Sequence, residues 1–116
     1  MSRKQIAAFD FDGVINPYTK GYNFGHLSED PVEGIKEEIA RIILEYRVVI
    51  FSSRCEKPEG IIKIQNYLDK HGIIVDKIQA TKPKAYVIID DKAICFDGKS
   101  EGLLEKIQAF VPWHKK

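Results

Sequence analysis

Polar side chains of the kind that carry phosphate chemistry follow three apolar segments of this chain, each where the apolar residues stop. They are Asp10, Asp12, Ser52, Ser53, Asp90 and Asp91. Carboxylates gathered at one place repel one another, and a hard divalent cation with oxygen ligands removes that repulsion. Mg²⁺ is the cation we expect, because it combines few carboxylates with water and phosphate oxygens.

The first acidic pair has a spacing that suits a shared site. Asp10 and Asp12 stand two positions apart, and in an extended segment both side chains then lie on one side. Gly13 allows the chain to turn away sharply behind them. An isolated Asp-x-Asp pair is more often a solvated turn. A position directly behind a buried strand, with a second acidic pair behind another strand, favours a site.

Hydroxyl, amide and ammonium groups near the same positions could hold a phosphoryl group. Ser52 can donate a hydroxyl hydrogen bond, and the backbone amide of Ser53 can add another, although Ser-Ser would serve an ordinary turn equally well. Lys82 and Lys84 precede the last strand, where one lysine could neutralise phosphate and nucleophile charge. The sequence leaves the choice between these two lysines open.

Alternating strands and helices must position these residues. Apolar runs predict buried strands at residues 6–9, 48–51, 73–75 (extending towards 78) and 85–89. Helical spacing and end signals predict helices at residues 30–46, 58–71 and about 100–111. Such alternation indicates an α/β fold, a Rossmann-like three-layer α/β/α sandwich with a mainly parallel sheet. Ligands of such sheets bind beyond the carboxyl ends of the strands, where the polar residues would meet.

Length and charge restrict the class of protein. With 116 residues we expect a single domain, residues 1–116, and a formal net charge of +1 gives no overall attraction to nucleic acid or anionic membranes. Cys55 and Cys95 form no metal or disulfide pattern, and no apolar stretch is long enough to span a membrane. We therefore expect a cytoplasmic protein without a membrane partner.

The ordered set of motifs resembles the haloacid dehalogenase (HAD) superfamily. The run Asp10-Phe11-Asp12-Gly13-Val14, then Ser52, Lys82 and the pair Asp90-Asp91 is similar to its four signature motifs, over nearly the whole chain. The stretch around Lys82-Pro83-Lys84-Ala85 and the Pro112-Trp113 ending resemble small HAD-like proteins of bacteria and phages.

The resemblance implies a Mg²⁺-dependent phosphatase that works through a covalent intermediate. Asp10 would attack phosphorus and form an aspartyl-phosphate, and Asp12 would protonate the leaving oxygen and then activate water. Ser52 would hold the phosphoryl group. Lys82 would be the motif lysine, with Lys84 as the alternative.

The resemblance also implies the metal ligands. Asp10 would bind Mg²⁺, Asp12 would contribute its backbone carbonyl, Asp90 its carboxylate, and Asp91 would bind directly or through water.

No cap domain fits between the motifs, so the resemblance implies an open site. Residues 13–30 show no periodicity and would form a flap-like loop over it. The candidate substrate contacts are Arg54, Tyr18, Tyr22 and His26. Open sites in this superfamily suit bulky or macromolecular substrates, or are closed by another subunit of a homo-oligomer.

Other functions remain open at this stage. The substrate would be a small phosphate ester or, alternatively, a nucleic-acid end for a polynucleotide end phosphatase. A catalytically silent HAD-like phosphate-binding module is a second alternative, since geometry decides catalysis. A receiver domain is disfavoured, because Ser52 occupies the place of its phosphate-accepting Asp. A kinase is not expected, because the P-loop motif is absent.

Overall fold

A parallel sheet of four strands organises the chain. The computed structural model describes residues 4–116. The strands are β1 (Ile6–Asp10), β2 (Arg47–Phe51), β3 (Lys77–Gln79) and β4 (Val87–Ile89), in the order β3-β2-β1-β4. Every adjacent pair is parallel. This arrangement confirms the predicted α/β, Rossmann-like fold.

Three α-helices accompany the sheet. They are α1 (Ile35–Ile42), α2 (Pro58–His71) and α3 (Leu103–Ala109). The start of α2 at Pro58 is as predicted, and so is its end, where Gly72 adopts a left-handed φ of 71°. The predicted start of the first helix at Asp30 is wrong. Gly34 has a φ of 82°, which no right-handed helix accommodates, so α1 begins at Ile35.

The core lies between one face of the sheet and the first two helices. Alternate residues of β1 and β2 point into it, as the pleat of a strand requires. The fully buried side chains include Phe9, Phe11, Ile15, Ile39, Val48, Ile50, Ile64 and Leu68. Phe11 packs edge-on against Tyr67 of α2, with ring centroids 5.4 Å apart. This packing anchors the residues that follow β1.

The third strand begins later than predicted. Ile73 is buried beside α2, and its amide donates to the Leu68 carbonyl, whereas Ile74 is 75% exposed. Asp76 leads the chain into the sheet, because its amide donates to the Val48 carbonyl and its carboxylate accepts from the Val48 amide. The strand therefore covers Lys77–Gln79, beyond the apolar run.

The C-terminal part of the chain packs loosely. We predicted inward-facing apolar residues along the last helix, but Leu104 and Ile107 are 61% and 58% exposed, and α3 has no buried residue. Its side chains line an open groove with Ala93 and Ile94. Within residues 4–116, no helix combines the length and apolar character needed to cross a membrane.

Candidate active site

The carboxyl ends of three strands bring the predicted site residues together. Asp10 is the last residue of β1 and pairs in register with Phe51, which directly precedes Ser52. Phe9 pairs with Ile89, which directly precedes Asp90. A small hollow of about 170 Å³ opens at this edge. Its lining residues are Asp10, Asp12, Tyr18, Ser52, Ser53, Asp91 and Lys92.

Three carboxylates converge at this edge of the sheet. Asp10, Asp90 and Asp91 each offer an oxygen atom, and these atoms lie within 4.8 Å of one another. Burial, a hydrogen bond with Asp91 and the negative charges of Asp90 and Asp91 raise the pKa of Asp10 to about 8. Burial opposes ionisation of Asp91 as well, but hydrogen bonds with Asp10 and His114 hold its pKa below the usual value. The pKa values of the two carboxyl groups are therefore shifted in opposite directions, and Asp10 is the one that holds its proton more firmly.

Asp12 stands beside this cluster with a different set of partners. Its Oδ2 accepts from Arg54 Nε at 2.8 Å, and its Oδ1 accepts from Asn16 Nδ2 at 2.8 Å. Asn16 is buried, and the Arg54 side chain is only 6% exposed. Both oxygens of Asp12 are thus fixed by groups outside the acidic cluster. In this respect the Asp12 carboxylate differs from the three carboxylates that converge.

Ser52 and Ser53 line the hollow from the turn that follows β2. Ser52 is buried, its amide donates to the Gln79 carbonyl, and its Oγ accepts from the Arg54 amide at 3.2 Å. It caps a short 3₁₀ turn at Ser53–Glu56. The hydroxyl hydrogen of Ser52 remains available to donate towards the hollow.

Of the two candidate lysines, the structure brings Lys82 to the cluster. Lys82 Nζ lies 3.7 Å from Asp90 Oδ2 and 5.7 Å from the centre of the Phe51 ring. Within residues 4–116, the side chain of Lys84 makes no ion pair, and the residue is exposed. The sequence could not separate the two, because they differ only by two positions in one loop.

The candidate substrate contacts lie in different places. Tyr18, at a left-handed φ of 64°, lines the hollow itself. The Tyr22 ring lies over the Arg54 guanidinium, 4.8 Å from its centre to Cζ. His26 does not reach the hollow and instead lines a separate groove beside α2.

A C-terminal turn that sequence reasoning did not assign to the site closes one side of it. In the 3₁₀ turn Trp113–Lys115, Trp113 Nε1 donates to the Gly13 carbonyl at 2.6 Å. His114 Nε2 lies 2.7 Å from Asp91 Oδ2, and both side chains are buried. Gly13 has a φ of 86°, and a Cβ there would overlap the Asp91 carboxyl group. Residues from both ends of the chain therefore fix Asp91.

Two further residues were also missed. Asn16 holds Asp12, and Lys92 lines the hollow directly after the acidic pair. The only available signals were the spacing of four between Asp12 and Asn16 and the position of Lys92 next to Asp91. Neither signal distinguishes a site residue from a solvated one.

The chain gives no match to protein-family models, to curated protein sequences or to solved structures. The geometry of the site is therefore the basis for a functional conclusion.

Proposed function

We propose that this protein is a Mg²⁺-dependent phosphohydrolase that cleaves phosphate monoesters through an aspartyl-phosphate on Asp10. One observation carries the proposal. Asp10 converges with Asp90 and Asp91 at the end of the sheet, while a further carboxylate, Asp12, is held beside them by Arg54. Such an arrangement would supply a nucleophile, cation ligands and a separate proton carrier at one edge of the sheet.

The chemistry of the acidic cluster fits a magnesium ion. Three carboxylate oxygens within 4.8 Å of one another suit a small, hard cation. Burial and, after it, the neighbouring carboxylates raise the pKa of Asp10, and a bound cation would offset both effects. Asp10, Asp90 and Asp91 would hold the ion. When bound, Mg²⁺ neutralises charge on the phosphoryl oxygens and permits Asp10 to ionise.

The nucleophile is oriented by the backbone that follows it. The Phe11 amide donates to Asp10 Oδ1 at 2.8 Å, and we assign the attack on phosphorus to the other oxygen, Oδ2. Oδ2 forms a bond to phosphorus as the bond to the leaving oxygen breaks. Ser52, the Ser53 amide and Lys82 lie where they can hold the phosphoryl oxygens.

Asp12 serves both halves of the reaction as the proton carrier. In its protonated form it would give that proton to the departing alcohol oxygen, and the resulting carboxylate, the form that Arg54 and Asn16 hold, would take a proton from the water that hydrolyses the aspartyl-phosphate. Its contacts with Arg54 and Asn16 restrict its rotation, so the same group stays in place for both steps.

Hydrolysis of p-nitrophenyl phosphate tests the proposal. We expect Mg²⁺-dependent turnover in the wild type, loss of turnover in Asp10→Asn, and retained turnover in Asp97→Asn, a matched change in an exposed turn. Turnover that persists in Asp10→Asn would contradict the covalent mechanism. Binding of Mg²⁺ and orthophosphate without any turnover would indicate the silent phosphate-binding module instead.

A further inference from the structure

A basic groove lies along α2. It consists of two hollows of about 260 Å³ and about 310 Å³ that share Gly25 and Lys63 in their walls. The charged residues of this basic groove are Arg54, Lys57, Lys63, Lys70 and one acid, Glu59. The whole chain carries a net charge of only +1, so this excess of cations is local. A local excess of this kind attracts anions.

Arg54 connects the basic groove to the catalytic carboxylates. Its Nε binds Asp12, its side chain is 6% exposed, and it forms part of the groove wall. Its Nη2 is buried and has no hydrogen-bond partner within residues 4–116. A buried donor of a charged group without a partner is costly, and an oxygen of an anionic ligand would satisfy it.

One aromatic side chain, Tyr22, lines the groove on the loop side, and a second, Phe24, directly precedes Gly25 of the groove wall. The Tyr22 ring covers the Arg54 guanidinium and is itself 59% exposed, so a ligand that reaches the guanidinium would have to displace this ring. Phe24, two positions on, is 90% exposed at a left-handed φ of 54°. An aromatic ring held in water beside a basic groove is the arrangement on which a nucleobase stacks.

We propose that the basic groove binds a second phosphate of the substrate, and that the substrate class is a phosphomonoester of a nucleoside that carries another phosphate. Arg54, Lys57 and Lys63 bind this second phosphate while the scissile phosphate occupies the acidic hollow. The inference rests on the proposed phosphohydrolase function. A free nucleoside bisphosphate and the phosphorylated end of an oligonucleotide share the required chemistry.

The test compares a substrate without a second phosphate with two substrates that carry one. KM and kcat are measured for p-nitrophenyl phosphate, adenosine 3′,5′-bisphosphate and a short 3′-phosphorylated oligonucleotide. In the double variant Lys57→Ala/Lys63→Ala, we expect KM for a substrate with a second phosphate to rise about tenfold relative to KM for p-nitrophenyl phosphate. Both lysines are exposed, so the fold is retained. The control Lys99→Ala, at an exposed turn away from the groove, should leave all values unchanged.

The outcomes separate the sources of the phosphate. A selective rise with adenosine 3′,5′-bisphosphate supports the inference and shows that a free nucleotide suffices, whereas a rise confined to the oligonucleotide supports a nucleic-acid end. Equal changes for all three substrates, or none, would overturn it.

Binding separates this inference from the proposed function. Calorimetric titration of Asp10→Asn with adenosine 3′,5′-bisphosphate does not need turnover, and removal of the two lysines in that background should weaken binding about tenfold. If the wild type hydrolyses p-nitrophenyl phosphate but the lysines do not affect bisphosphate binding, the function stands and the groove assignment fails. If turnover is absent but removal of the lysines weakens bisphosphate binding, the groove assignment stands and the proposed function fails.

Discussion

The metal-free protein should lose stability as pH rises, and replacing Asp10 with Asn should remove this loss. The same replacement removes the proposed nucleophile. The pKa of Asp10 is raised from 3.8 to about 8, first by burial and then by its acidic neighbours. The folded state therefore keeps a proton that the unfolded state has released. Because the folded state binds more protons in this range, the free energy of unfolding falls as pH rises from about 4 to about 8.

The size of the effect follows from the pKa shift. One pKa unit corresponds to about 1.4 kcal/mol, so three pH units between pH 5 and pH 8 give about 4 kcal/mol for a fully buried carboxyl group. Asp10 is partly open to solvent and is hydrogen-bonded to Asp91, whose pKa is shifted the opposite way. Halving the value for these reasons leaves roughly 2 kcal/mol, or roughly 8 °C in melting temperature.

Thermal unfolding at pH 5 and pH 8 in the presence of EDTA measures this difference. We expect the wild type to lose about 2 kcal/mol more than Asp10→Asn between the two pH values. Asp97→Asn, a matched change at an exposed carboxylate, should behave like the wild type. Saturating Mg²⁺ should abolish the extra loss in the wild type, because the cation replaces the proton. Identical pH slopes for wild type and Asp10→Asn in EDTA would refute the reasoning.

Three other substitutions probe the contacts around the site. Gly13→Ala should weaken Mg²⁺ binding in a calorimetric titration, because its Cβ would displace the Asp91 carboxyl group; unchanged affinity would contradict this. Trp113→Phe should lower the free energy of unfolding in urea by about 1 kcal/mol through loss of the bond to the Gly13 carbonyl, and equal midpoints would show that this contact contributes nothing. Lys82→Ala should reduce kcat for p-nitrophenyl phosphate about a hundredfold and Lys84→Ala much less, whereas equal losses would remove the assignment of Lys82.

The sequence predicted those parts of the fold that local chemistry controls. α2 begins at Pro58 because the proline ring restricts its own backbone, and it ends before Gly72 because glycine leaves its own backbone free. The third strand was predicted to start too early, at Ile73, because a buried apolar side chain fits the end of a helix as well as a sheet. The register of β3 depends on Asp76, whose bonds to Val48 join segments far apart in the chain. No periodicity in the sequence reports such a bond.

The same distinction applies to the candidate site. Asp10 and Asp90 could be placed together from sequence because the carboxyl ends of parallel strands share one edge of a sheet. The role of Trp113 could not be predicted from sequence, because its hydrogen bond to the Gly13 carbonyl spans 100 positions of the chain. The partners of Asp12 were equally inaccessible, since Arg54 reaches it through a side-chain conformation that depends on the packing of the turn after β2.

Two irregular segments enclose the hollow, and they differ from the sheet in how firmly they are held. Tyr18 from the loop after β1 meets His114 of the C-terminal turn edge-on, with ring centroids 5.7 Å apart. His114 and Trp113 in turn contact Asp91 and Gly13 through single hydrogen bonds. These contacts between the loop and the C-terminal turn depend on single side chains, so the turn can separate from the loop at lower cost than the strands that carry the carboxylates can separate. Such a division would suit the proposed phosphohydrolase, whose acidic cluster must stay rigid while a substrate larger than phosphate enters and leaves.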